Sequence, residues 1–144
     1  MADAVQVSEA KMAGRPLLVP TSPGQVLDRI TILQIKESKT AGSTAHAAVL
    51  LELNELLAIW NAAVDPSGEL VALQEELRRV NWELWQVEDR LRAFESRSDF
   101  GPEFVADARS VYKLNDQRFQ LKRRVDALLG SALSETKVYV SDKQ

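Results

Sequence analysis

Residues 70–94 read LVALQEELRRVNWELWQVEDRLRAF. Within this stretch Leu70, Leu73, Leu77, Val80, Leu84, Val87, Leu91 and Phe94 recur at alternating steps of three and four. On an α-helix that spacing draws one continuous apolar seam, and a seam of this length must be buried against another helix. The stretch therefore predicts a long packed helix and an all-α protein. It carries no chemistry of its own.

Working outward, Asp65-Pro66-Ser67-Gly68 stops one helix and starts the ladder helix, which runs to about Glu95. Ser96 to Gly101 is a loop, Pro102 opens a further helix to Leu129, and Gly130 is placed as its left-handed terminator. Each of these two helices is near 28 residues, or roughly 42 Å long. A short loop makes them antiparallel neighbours. With the turn near residue 98, facing positions sum to about 197. That register sets Glu88 against Arg109, Trp85 against Tyr112, and Asn81 against Asn115 or Asp116.

The last helix has a stripe of Phe104, Val111, Leu114, Leu121, Val125 and Leu128 that is interrupted by Asp107 and Arg118. Buried charges persist only when paired. These two lie roughly 16 Å apart along the helix, too far to pair with each other. Each needs a partner elsewhere, with Asp28 and Lys36 as candidates.

Upstream, Ser22 suits an N-cap and Pro23 a first helical position, so a helix starts there and ends near Lys39. A second helix runs from about Thr44 to Val64. Its stripe of Val49, Leu53, Leu56, Leu57 and Trp60 is widened by Leu50, Leu51 and Ile59. A helix apolar on most sides is expected at the centre of a bundle. Residues 1–15 read as a flexible arm, 16–140 as a single helical domain and 141–144 as a tail. Leu17–Val19, between two prolines, and Lys137–Val140 read as short extended segments that could pair as strands. The expected fold is a four-helix up-down bundle. It has a long antiparallel C-terminal helical hairpin and short extended ends. The first two helices are too short to cover the hairpin, so a homodimer through the remaining seam is expected.

Composition narrows the function classes. The chain has 144 residues, a formal net charge of −3 and no cysteine. Disulfides and thiolate metal sites are excluded, and there is no global positive field for nucleic acid or anionic membrane. No apolar run approaches the roughly 20 residues of a membrane span, and no secretory signal opens the chain. A cytoplasmic location is the expectation, without nucleic-acid or membrane partners. No metal or other cofactor is expected, because HExxH and nucleophile-elbow motifs are lacking. His46, the one histidine, reads as a surface residue.

Three segments together resemble a family of small bacterial helical proteins of unknown function. They are SPGQVLDRITILQIK (residues 22–36), VNWELWQVED (80–89) and ARSVYKLNDQR (108–118). The resemblance covers about residues 16–140. It implies a bacterial cytoplasmic protein whose relatives occur near sugar or surface-polysaccharide genes. It carries over no catalytic roles.

Asp28, Lys36, Asn81, Glu88, Arg109, Asn115, Asp116 and Arg118 form the strongest polar constellation. They read either as a buried network that fixes helix register or as a pocket for a small polar or anionic ligand. Ser22-Pro23-Gly24 offers free N–H groups to a phosphate or carboxylate, or is a plain N-cap. Trp82 and Trp85 suit core or oligomer contacts, or stacking on a sugar or base beside Arg78 and Arg92. The candidate ligand-binding set is therefore Ser22, Asp28, Lys36, Asn81, Trp85, Glu88, Arg109, Tyr112, Asn115, Asp116 and Arg118, and the sequence names no reaction for it. The leading expectation is a non-enzymatic, self-associating interaction module. The alternative is a protein or enzyme for a small polar or anionic ligand, of the sugar or nucleotide-sugar kind, with its site in the polar interior among helices one, three and four.

Overall fold

The structure is a computed structural model that describes residues 14–139. Residues 1–13 of the expected arm, Val140 and the tail at 141–144 lie outside the described residues. Four helices follow one another: α1 (Pro23–Thr40), α2 (His46–Ala63), α3 (Gly68–Ser96) and α4 (Pro102–Leu128). The fold is all-α, with no strand among the described residues.

Capping explains the boundaries. Ser22 caps α1, its Oγ accepting the Gln25 N–H at 3.3 Å, with Pro23 in the first turn. Ser67 caps α3 in the same way through the Leu70 N–H at 3.1 Å. At the far end of α3 the Asp99 N–H returns to the Phe94 carbonyl and the Ser98 N–H to that of Glu95. That is a Schellman closure, with Ser98 left-handed at φ 53° where glycine is usual. The end of α4 repeats it, Ser131 returning to Asp126 and Gly130 to Ala127, with Gly130 at φ 66°.

The ladder of α3 is buried throughout except for Leu91, which is half-buried. It packs with Leu114, Leu121 and Val125 of α4 and with Leu27 of α1. The hairpin register agrees with the sequence reading: Arg90 on α3 grips Asp107 on α4 with two hydrogen bonds of 2.9 and 2.8 Å. Asp107 thus finds its partner across the hairpin and not on α1, correcting that expectation. In that register Arg90 stands across from Asp107, so the neighbouring helix supplies the opposite charge.

α1 and α2 exchange their expected places. α1 is the central helix, with Leu27 turned to the hairpin and Ile30 and Leu33 turned to α2. α2 is peripheral: only Leu53 is buried. α1 packs against one side of the hairpin with a polar as well as an apolar face. α2 packs mainly on the outer side of α1, with Trp60 reaching the main core, and its far face leaves Leu51 and Ile59 exposed.

Among the described residues the extended segments do not pair. Leu17, Leu18 and Val19 are exposed, and the chain after Gly130 lies along α4 through its side chains. Glu135 and Lys137 are half-covered while Thr136 and Val138 face outward. That period of two is the extended conformation expected at 137–139, used against a helix instead of a strand.

Candidate functional site

Asp28 and Thr31 sit on one face of α1, three residues apart, so both project toward the hairpin. Asn81 and Arg118 meet them from α3 and α4. The Arg118 guanidinium donates to Asp28 Oδ1 and Oδ2 at 2.8 and 2.6 Å, a two-point contact. The Asn81 amide donates to Asp28 Oδ1 and to Thr31 Oγ1, both at 2.9 Å. Thr31 in turn donates to the Asp28 carbonyl at 2.8 Å. Hydrogen bonding to Asp28 holds the Arg118 guanidinium above its ordinary value, and Glu135 and Glu88 push the same way more weakly. Both oxygens of the buried Asp28 carboxylate are engaged, so the arrangement is a closed three-helix lock.

One layer toward the start of α1, Gly24 meets α4. Its N–H donates to Asp126 Oδ1 at 2.6 Å, and a Cβ there would lie 2.4 Å from the Lys122 carbonyl oxygen. The anion expected at the Ser22-Pro23-Gly24 helix start is therefore supplied from within the chain. Asp126 is buried, and its carboxylate faces the positive end of α1.

The remaining candidates divide. Asn115 accepts from Arg118 at 3.4 Å. Asp116 binds Lys137 and accepts from the Tyr139 hydroxyl at 3.1 Å. The hydrogen bond from Lys137 holds the Asp116 carboxyl below its ordinary range. Tyr112, Asn115, Arg118 and Lys122 line a groove of about 450 Å³ beneath the returning tail. Lys36 and Trp85 are half-buried, and Lys36 makes no ion pair among the described residues. Glu88 and Arg109 do not pair. Glu88 is taken by Arg92, one turn along α3, at 3.6 Å, and Arg109 is exposed outside the α4 stripe. The register was right, but the helical phase of these two positions turns them away from the seam.

Trp82 and Arg78 line a second groove, between α1 and α3, together with Gln34. Lys39 already covers the Trp82 ring at 4.7 Å from its centroid, while Arg92 lies elsewhere, against Glu88 and Asp89. The expected joint stacking platform of two tryptophans and two arginines is not assembled. No cluster of potential metal ligands occurs among the described residues.

Sequence reasoning missed Thr31, Lys122, Asp126 and Glu135 as parts of the site. The signal for two of them was present, since Arg118, Lys122 and Asp126 recur every four residues on one face of α4. Glu135 carries no such signal, because its role depends on the chain reversing at Gly130.

Over residues 17–143 the sequence matches the Family of unknown function (DUF6165). The chain belongs to that family. Comparison with curated proteins and with solved structures gave no match. Membership in DUF6165 brings no assigned activity, so the functional reading rests on the geometry.

Proposed function

We propose that the protein is a non-enzymatic helical interaction module that associates with a second copy of itself through the outer face of α2, in a bacterial cytoplasm. The observation that carries this reading is the peripheral position of a predominantly apolar helix. Leu51 and Ile59 on its outer side are 65% and 56% exposed, and Ala48, Ala58 and Ala62 flank them in the open. The expectation of a dimer is kept, but its surface moves from the hairpin to α2. The distal hairpin closes its own seam with Leu84, Val87, Phe94 and Leu114.

The face is self-complementary when two copies run antiparallel about a two-fold axis beside Asn54 and Glu55. Leu51 of one protomer then meets Ala58 of the partner subunit, large against small, and Asn54 meets Glu55 of the partner subunit as donor to acceptor. The contact is confined to one 18-residue helix from each copy, so a reversible dimer is expected. The absence of native cysteine makes the test direct. A single Glu55→Cys substitution near the axis should form an interchain disulfide under mild oxidation, whereas Arg109→Cys on the hairpin should not. Cross-linking at 109 without cross-linking at 55 would overturn this arrangement.

The alternative, a small polar or anionic ligand held among α1, α3 and α4, finds little support at the lock itself. Asp28, Asn81, Thr31 and Arg118 spend their hydrogen bonds on one another.

A further inference from the structure

Lys122 presents an unusual demand. Its side chain is only 8% exposed, and its contacts are an ion pair with Glu135 and a long hydrogen bond to Gln25 Oε1 at 3.5 Å. A buried ammonium group needs a countercharge. Of the nearby helical acids, Asp28 is paired with Arg118 and Asp116 with Lys137 and Tyr139, while Asp126 turns one oxygen to the Gly24 N–H and leaves the other unpartnered among the described residues. The countercharge that meets Lys122 comes from outside the helices, from Glu135 on the tail.

That tail is lightly held. It departs through the left-handed Gly130, and among the described residues 132–139 make no backbone–backbone hydrogen bond. Among the described residues, side-chain contacts of Glu135, Lys137 and Tyr139 keep it down. Beneath it the groove has room beyond what Glu135 fills, with Val111 and Phe119 as an apolar floor. The Asn115 amide N–H groups and the Tyr112 hydroxyl lie there without partners among the described residues.

We propose that the groove between α4 and the returning tail is a binding site for a small hydroxylated carboxylate. Glu135 is its resident occupant, and the ligand takes the same seat on Lys122 as the tail lifts. The ligand carboxylate replaces that of Glu135 on the ammonium group. Its 2-hydroxyl meets the Asn115 amide. Charge is conserved at the seat, since one carboxylate leaves as another arrives. The site does not depend on self-association.

Lactate, the simplest 2-hydroxycarboxylate, is the probe, with chloride at equal ionic strength as control. Amide NMR spectra of the full chain are followed during titration. In the wild type, lactate should shift residues 111–122 saturably and move the amides of residues 133–138 toward free-chain positions with the same midpoint. Glu135→Gln should lower that midpoint at least ten-fold, and Lys122→Met should abolish the response. Groove shifts without tail release would overturn the proposal. So would equal midpoints in wild type and Glu135→Gln, an undiminished response in Lys122→Met, or no saturable response in any form.

Discussion

At the scale of single residues, the fold is decided where α1 touches the hairpin. Gly24 allows the backbones of α1 and α4 to approach so closely that an added Cβ would overlap the Lys122 carbonyl. Gly24→Ala should cost about 1–3 kcal/mol in urea unfolding, through forced displacement of α1. Asp28 and Arg118 form one unit, and removing either partner leaves a poorly solvated charge. Asp28→Leu and Arg118→Met should each cost about 3 kcal/mol, and the double variant clearly less than their sum. The hydrogen bonds from Arg90 hold the Asp107 carboxyl below its ordinary range. A carboxylate with a depressed folded pKa contributes stability above its unfolded value of about 3.9, and that contribution is lost as pH falls through the folded value. Acid titration of stability below about pH 4 should therefore be shallower in Asp107→Asn than in the wild type. At neutral pH that variant should lose about 0.5–1 kcal/mol. Of these residues, Asp28 and Arg118 were legible as partners because a charge inside an apolar stripe demands one. The Glu88–Arg109 pairing misled because hairpin register alone does not fix which way a side chain turns.

At the scale of elements, all four helices were legible, with ends within about two residues, a consequence of strong punctuation by Ser22-Pro23, Ser67-Gly68, Pro102 and Gly130. The order of layers was not legible. α2 is the most uniformly apolar helix, yet α1, with its buried Asp28 and Thr31, occupies the centre. Periodicity reports how much surface a helix must cover, and it does not report which neighbour covers it. Polar residues on α1 are central because each has a partner on the hairpin. One element end departs from the usual chemistry. Ser98 holds a left-handed conformation that costs an L-residue roughly 1–2 kcal/mol, whereas glycine adopts it freely at some cost in unfolded-state entropy. Ser98→Gly should stabilise the chain by about 0.5–1 kcal/mol, read as a higher urea midpoint at unchanged slope.

At the scale of the whole molecule, α1 binds the hairpin only near its base. Its hydrogen bonds and ring contacts reach Asn81 and Trp82 on α3 and Arg118, Lys122 and Asp126 on α4. The far half of the hairpin extends beyond this lock, held by its own seam and by Arg90–Asp107. The molecule thus has a cross-braced base, a two-helix arm, and one apolar helix laid along the outside of the base. On that outer helix the fold leaves Leu51 and Ile59 exposed. The proposal of self-association through α2 is tested most directly by sedimentation equilibrium of the wild type and the Leu51→Glu/Ile59→Glu variant across micromolar concentrations. The wild type should approach twice the 16.1 kDa chain mass, and the variant should stay at the single-chain mass with an unchanged helical spectrum. A wild type that stays monomeric throughout, or a variant that dimerises equally well, would contradict it.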